Sequence, residues 1–320
     1  MSKTRVGVLR GGVGCEYEVS LSTGAGVLKN LDQNKYEAND ILITRDGLWH
    51  YKGLPILPAE LPKYIDVAFN ALHGEFGEDG QVQGILNNLG LPFTGSDRYG
   101  SSLGMNKYEV KEILKDNNIL TPRGLVLEKS DQVFLAASEV FKKISPPWIV
   151  KPMDKGSSVG VYLAKTFKEL ELAIQNSLRF SDYVLVEEYI RGKESTCGAV
   201  DNFRNHEIYS FPAIEVLKPA NNFWSYEDKY SGLNNSRCPG YFSESESEQI
   251  QVLTKKIHKL LGLRHYSRSD FIVSPRGVYA LEVNTLPGLS LASPLSKSME
   301  AVGLSYCDFL DHILDLALTK

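Results

Sequence analysis

The sequence predicts an α/β protein with more than one domain. Three observations carry that expectation. Short apolar runs at Arg5 to Leu9, Ala38 to Thr44 and Ile65 to Leu72 alternate with helical stretches such as Tyr17 to Leu31, the pattern of a parallel sheet with helices packed on it. Two of these strands run into glycine turns, Gly11-Gly12-Val13-Gly14 and His73-Gly74, at the strand ends where open α/β sheets hold ligands. The chain has 320 residues, enough for two or three domains.

The composition is that of a globular protein, 42% hydrophobic and 23% charged with a formal net charge of -4. That balance gives no electrostatic case for nucleic acid or an anionic membrane. No apolar run reaches the length of a membrane span. Met1-Ser2-Lys3-Thr4 leads directly into a strand, so no signal peptide is expected. Cys15, Cys197, Cys238 and Cys307 are scattered without a CxxC pair, which supports neither a zinc site nor a disulfide framework. Reduced cysteines in a cytoplasmic protein are expected. Cys15 has no histidine near it in sequence and reads as a small thiol rather than a nucleophile.

The elements follow in order. Gly11-Gly12-Val13-Gly14 lacks the full G-x-G-x-x-G spacing, and no clear acidic residue ends the second strand, so a dinucleotide site is not expected. Glu78 and Asp79 suit the first turn of a helix from about Val82 to Leu89, and His73 stands at a strand end beside a glycine turn. Leu91 to Ser96 reads as a strand leaving the first domain, Asn106 to Asn117 as a helix, and Thr121-Pro122-Arg123-Gly124 as the opening of a second α+β unit. Trp148 to Pro152 is a strand with Lys151 near its end. Asp154 to Gly160 then forms a glycine-serine loop before Val161-Tyr162-Leu163 resumes the strand pattern. Backbone N–H groups and hydroxyls of such a loop can wrap a phosphate, although a Walker A loop leads into a helix instead.

Tyr183 to Glu187 is another strand, continuing into Glu188-Tyr189-Ile190. In a nucleotide site this edge offers backbone groups to an adenine, with Glu194 on the ribose. Asn221 to Gly240 is long, irregular and carries Lys229-Tyr230, as lids and binding loops do. Ser243 to Leu260 and Tyr306 to Leu318 read as helices.

The most informative run is Tyr279 to Gly288. An apolar strand ends in Glu282, Asn284 follows two residues later, and Pro287-Gly288 makes a turn. Period two puts Glu282 and Asn284 on one face, and hard oxygen ligands side by side suit Mg²⁺. Ser267 to Val273 reads as the partner strand, adding Asp270 and Arg268. Asp270, Glu282 and Asn284 can hold metal ions between the phosphates of a nucleotide, an arrangement for phosphoryl transfer.

Taken in this order, the segments resemble the ATP-grasp superfamily and, within it, the D-alanine–D-alanine ligases, over essentially the whole chain. The resemblance rests on Gly11-Gly12 with Glu16 and Val19-Ser20, His73-Gly74 with Gly77 to Gly80, and Thr94-Gly95-Ser96. It continues through Lys107, Val150-Lys151-Pro152, Gly156 to Gly160, and Tyr226-Glu227 with Lys229-Tyr230. Arg268 with Asp270, Glu282 to Thr285, and Pro287-Gly288 complete it.

The resemblance implies an ATP-grasp fold of three α/β domains: an N-terminal parallel-sheet domain over 1–97, a central one over 98–188 and a C-terminal one over 189–320. It implies ATP between the last two, contacted by Lys107 and Lys151 and covered by the loop of Gly156, Ser157 and Ser158. Glu187, Glu188, Tyr189, Ile190 and Glu194 would serve the adenine and ribose, and Asp270, Glu282 and Asn284 two Mg²⁺ or Mn²⁺ ions. Glu16 would pair with the ammonium of the first D-alanine, near His73. Lys229 and Ser293 would hold the carboxylate of the second. Glu16, Ser157 and Tyr230 resemble a linked trio near the acceptor amine, and Arg268 with the Gly288 N–H would stabilise an oxyanion. A homodimer making a peptidoglycan precursor is the usual form of the family.

The sequence departs from the family pattern at Gly14 (usually Ser), Tyr17 (usually basic) and Asn106 (usually Asp). It departs again at Pro294, where a Leu shapes the acceptor pocket. Proline fixes φ and has no N–H, so a different second substrate, another amino acid or a hydroxy acid, is the alternative expectation.

Overall fold

The computed structural model describes residues 2–156, 158–217, 236–290 and 292–319. Three sheets organise the chain. The first has the order β4-β3-β2-β1-β5, with β1 (Thr4–Gly11) parallel to both β2 (Tyr36–Ile43) and β5 (Val67–Asn70). Helix α1 (Tyr17–Asn30) makes the crossover from β1 to β2. At the end of β1, Gly11 adopts φ +92, and a Cβ there would lie 2.2 Å from the Ile43 carbonyl oxygen. Only glycine permits that turn beside a neighbouring strand.

Strands β3 (Trp49–Tyr51) and β4 (Leu54–Ile56) form a hairpin that the sequence reading did not include. Its turn residues Lys52 and Gly53 have φ of 50 and 80, the paired positive φ of tight hairpin turns. The strand expected over Leu91 to Ser96 reduces to one parallel bridge, Phe93 to Ala68. Pro92 has no N–H to give a ladder, and Gly95 at φ +91 turns the chain away.

The second sheet, order β6-β9-β7-β8, is antiparallel. It comprises β6 (Gly124–Glu128), β7 (Trp148–Pro152), β8 (Tyr162–Ala164) and β9 (Tyr183–Glu188). The helices α6 (Val133–Lys143) and α7 (Phe167–Ser177) cover it around Trp148 and Ile174. The third sheet has the order β13-β12-β10-β14-β15, with β11 on β10. Its members are β10 (Lys193–Phe203), β11 (His206–Ser210), β12 (Ile214–Val216), β13 (Ser236–Arg237), β14 (Tyr266–Ser274) and β15 (Gly277–Asn284).

The cores do not follow chain order. Leu103, Val110 and Leu114, on α4 (Arg98–Met105) and α5 (Lys107–Asp116), pack with Ile250, Ile257, Phe271 and Val283 of the third sheet and its helix α8 (Glu244–Leu260). The last helices, α9 (Pro294–Ala301) and α10 (Tyr306–Leu318), return to the first sheet. There Met299, Phe309 and Ile313 bury against Val6, Val8 and Phe69. Short α3 (Gln81–Asn88) and α2 (Leu61–Tyr64) finish the first unit.

Candidate active site

A cavity opens between the second and third sheets. Lys151, Glu187 and Ile190 form one wall, and Asp270, Ile272 and Glu282 form the other. Lys107, at the first turn of α5, and the loop residues Lys155, Gly156 and Ser158 close the end where the walls meet.

The first wall is built on a buried charge network. Glu187 Oε2 accepts from Lys151 at 2.8 Å and Oε1 from Lys111 at 2.5 Å. Burial would strip the proton from Lys151, but Glu187 and then Glu282 outweigh it and hold its pKa above the usual lysine value. Burial likewise opposes ionisation of Glu187, and the two ammonium groups reverse that and lower its pKa. Lys107 donates to the Lys155 carbonyl at 2.5 Å. Burial lowers its pKa, with Glu282 the strongest opposing influence.

The second wall is the β14–β15 hairpin. Its register sets Asp270 opposite Glu282 and Arg268 opposite Asn284. Arg268 clasps Asp270 with two bonds of 3.0 Å, Nε to Oδ1 and Nη2 to Oδ2, the fork geometry that suits a carboxylate. Thr196 on β10 donates to the same Oδ1 at 2.5 Å. Burial works against the Arg268 charge, yet Asp270 and Glu282 raise its pKa further above the ordinary value. The ladder shifts register just past Asp270, so that Phe271 pairs with Ala280 and Leu281 is passed over. This bulge lets consecutive residues Leu281 and Glu282 both line the cavity.

The glycine turns of the first sheet form a second, adjoining region. Ser20 accepts from the Gly11 N–H at 2.8 Å and donates to the Ala71 carbonyl at 2.8 Å, tying the two loops together. Glu16 is 8% exposed. Its Oε2 lies where a Cβ on Gly74 would approach to 2.5 Å and one on Gly156 to 3.2 Å. The loop after β7 therefore reaches the N-terminal carboxylate, and Lys155 reinforces this by pairing with Glu75 at 3.2 Å. His73 Nε2 lies 2.8 Å from Thr23 Oγ1, and its Nδ1 is 3.5 Å from Glu78. Glu78 also accepts from the Gly74 N–H at 3.2 Å. It closes the turn, and neither it nor Asp79 sits in the first turn of α3: Asp79 precedes the helix and accepts from the Gln81 N–H at 3.0 Å.

The comparisons with known proteins agree with this geometry. Residues 113–315 match the family described as D-ala D-ala ligase C-terminus, and residues 54–96 match D-ala D-ala ligase N-terminus. The chain is 34% identical over 319 residues to the D-alanine–D-alanine ligase B of Clostridium perfringens, covering 99% of each chain. It is 36% identical over 324 residues to the D-alanine–D-alanine ligase of Geobacter sulfurreducens, covering 100% of this chain and 96% of that one. The chain belongs to the D-alanine–D-alanine ligase family.

Solved ligases share the whole fold. The D-alanine–D-alanine ligase of Bacillus anthracis complexed with ATP superposes with a TM-score of 0.81 at 31% identity, covering 98% of this chain and 97% of that one. The VanG D-Ala:D-Ser ligase of Enterococcus faecalis superposes with a TM-score of 0.86 at 28% identity, covering 99% of this chain and 100% of that one.

Tyr189 and Glu194 line the cavity. The Glu188 carboxylate accepts from the Arg123 N–H at 3.0 Å and lies 3.4 Å from Arg276. Among the described residues nothing lies within 4 Å of the space a Cβ on Gly288 would take. Ser293 is the N-cap of α9. Ser157, Lys229 and Tyr230 lie outside the described residues, as do Tyr226 and Glu227.

Three of the four departures, Asn106, Tyr17 and Pro294, have local explanations. Asn106 caps α5, accepting from the Glu109 N–H at 3.2 Å, a task that Asn and Asp perform about equally. Tyr17 stacks under Arg45 at 4.3 Å from the ring centre. Pro294 occupies the first turn of α9, where its missing N–H has no helical partner to lose.

Sequence reading missed Lys111 and Thr196. Lys111 did carry a signal, because it follows Lys107 by four residues and so shares a helix face with it. Thr196 did not, since only the register of β10 against β14 brings it to Asp270.

Proposed function

We propose that this ligase uses ATP to join two D-alanine molecules into D-alanyl-D-alanine for peptidoglycan precursor synthesis. The observation that carries the reading is the convergence of Lys107 and Lys151 with Asp270 and Glu282 on one cavity, beside the region that holds Glu16. Cations stand ready for phosphates, and carboxylates for the counter-ions of those phosphates.

The adenine lies toward Glu187, Glu188, Tyr189 and Ile190, and the ribose toward Glu194. Lys107 and Lys151 contact phosphate oxygens, and the loop of Gly156, Ser157 and Ser158 covers them. Two Mg²⁺ or Mn²⁺ ions belong to the proposal. Among the described residues no group of three or more His, Cys, Asp or Glu is placed to hold a metal ion. The chain instead offers two carboxylates, Asp270 and Glu282, with the amide of Asn284. An oxygen-only set that leaves positions for phosphate and water suits a hard octahedral cation. Held there, the ions would supply charge neutralisation for the transferring phosphoryl group.

A carboxylate oxygen of the first D-alanine attacks the γ-phosphorus. The new P–O bond replaces the bond to ADP, and an acyl phosphate results. Glu16 holds the ammonium of that substrate, beside His73. The neutral amine of the second D-alanine, its carboxylate held by Lys229 and Ser293, attacks the acyl carbon. Arg268 and the Gly288 N–H stabilise the oxyanion that forms there. Phosphate leaves, and the nitrogen gives up a proton near the trio of Glu16, Ser157 and Tyr230. Water is excluded because it would hydrolyse the acyl phosphate.

A different acceptor is not favoured. The curated relatives cited above carry the D-alanine–D-alanine name, and Pro294 has a helix-capping explanation that needs no altered pocket. A homodimer in the cytoplasm is part of the proposal. Its support is the family habit and, among the described residues, the absence of any helix long and apolar enough to cross a membrane. Sedimentation velocity tests the assembly. The test of function is ATP-dependent phosphate release with Mg²⁺ and D-alanine alone, with the product identified by mass spectrometry. D-alanyl-D-alanine is expected, and release that requires a second, different acceptor would overturn the assignment.

A further inference from the structure

Lys111 stands behind the cavity wall. It is 2% exposed, yet its ammonium makes three hydrogen bonds. It donates to Glu187 Oε1 at 2.5 Å, to Thr121 Oγ1 at 2.9 Å and to the Pro122 carbonyl at 2.6 Å. A buried lysine is tolerated only when paired and fully bonded, and the three partners here exhaust its three donors.

Those partners have distinct positions. Glu187 and Pro122 line the cavity, while Lys111 lies on α5, whose first residue, Lys107, also lines it. One ammonium thus joins the helix bearing Lys107, the segment Thr121-Pro122 and strand β9. Glu187 Oε2 is left for Lys151. Without Lys111, Lys151 would be the one ion-pair partner left to Glu187 among the described residues, and Glu187 would compete with any ligand phosphate for it.

We propose that Lys111 is a positioning residue of the nucleotide site: it neutralises and orients Glu187, so that Lys151 is free to serve the phosphates and Glu187 the adenine end. This rests on the nucleotide reading of the cavity given above. It assigns Lys111 no contact with substrate and acts through Glu187 alone.

The titratable groups facing Lys111 are Glu187 from β9, Lys151 from β7 and Lys115 from its own helix. Burial is the largest influence, partly offset by Glu187, and brings Lys111 down to about 8. The ammonium is therefore present at pH 7 and lost as pH rises through that value, which gives the device a signature in ATP affinity.

The experiment measures binding of ATP with Mg²⁺ by calorimetry, and steady-state kinetics, on the full chain and on K111M and K111R. Wild-type binding tests the nucleotide reading itself and is independent of the inference. Given that binding, K111M should weaken ATP at least tenfold while the KM for D-alanine stays within twofold, and K111R should recover most of the loss. Wild-type ATP affinity should fall between pH 7 and 9, and that of K111M should be flat. A folded K111M that binds ATP like wild type overturns the inference. If K111M fails to fold, a flat wild-type affinity over pH 7 to 9 overturns it instead.

Discussion

Asp270 and Glu282 are direct cross-strand partners on β14 and β15, two carboxylates set opposite each other on a cavity wall. Like charges in that position destabilise a ladder. Arg268 offsets one of them through its paired bonds to Asp270. Glu282 also acts on Lys107 and Lys151 across the cavity, opposing the effect of burial on each; the Lys151 pKa ends above its usual value and that of Lys107 below. The metal ions proposed above would draw on both of these carboxylates.

Glu282→Gln keeps the size and removes the charge. Turnover should fall at least a hundredfold, equivalent to ~3 kcal/mol of transition-state stabilisation, with the melting temperature little changed. Activity that survives undiminished would remove Glu282 from the metal site. Phosphate-release kinetics on the variant measure this.

Gly74→Ala tests the N-terminal substrate region. Gly74 has φ +67, and an added Cβ would lie 2.5 Å from Glu16 Oε2. The methyl group displaces the carboxylate proposed to receive the first D-alanine, and the backbone strain adds ~1–2 kcal/mol. The KM for D-alanine should rise tenfold or more while ATP affinity is retained. An unchanged D-alanine KM would separate Glu16 from substrate binding.

Ser293 and Pro294 should differ in their effects. Ser293→Ala removes a side chain that caps α9, where its Oγ accepts from the Ser296 N–H at 3.4 Å. Loss of such a cap destabilises by ~1 kcal/mol, and loss of the proposed acceptor contact should raise the D-alanine KM. Pro294→Leu should leave D-alanine the preferred acceptor over D-serine and D-lactate. Competition assays with product mass spectrometry read that preference, and a switch of acceptor would make Pro294 a specificity residue.

His265 predicts a pH dependence of stability. It is buried, sits at φ +65, and accepts from the Gly95 N–H through Nδ1 at 3.0 Å, which requires the neutral ring. Burial, aided by Arg264, lowers its pKa from 6.5 to about 4, with Asp201 opposing. A base whose pKa is depressed on folding favours the folded state above its unfolded value. That stability is lost as pH falls from about 6.5 through 4, up to ~3 kcal/mol. Urea unfolding between pH 4 and 7 should show the loss in wild type and less of it in His265→Asn, since Asn also tolerates this backbone conformation. Equal slopes would assign the acid sensitivity to other groups.

Much of the fold was legible because it rests on local rules. Period two in β15 identified Glu282 and Asn284 as neighbours, and the apolar run at Ser267 to Val273 identified their partner strand. What was not legible depends on tertiary register or on backbone freedom. The bulge at Leu281 turns a residue toward the cavity that strict alternation would point away. The β3–β4 hairpin depends on a positive φ at Lys52, which is uncommon outside glycine. The buried triad of Lys111, Glu187 and Lys151 joins residues from three elements. In the sequence Lys151 and Glu187 read as nucleotide contacts and Lys111 has no assigned role, and only their shared burial reveals a network.

The central claim is that ATP activates a carboxylate by phosphorylating it. D-alanine labelled with ¹⁸O in its carboxyl group tests this most directly. Incubated with ATP, Mg²⁺ and the protein, it should yield D-alanyl-D-alanine, ADP and inorganic phosphate carrying one ¹⁸O for each peptide bond formed. Phosphate free of label, or AMP carrying the label instead, would contradict phosphoryl transfer to the substrate carboxylate.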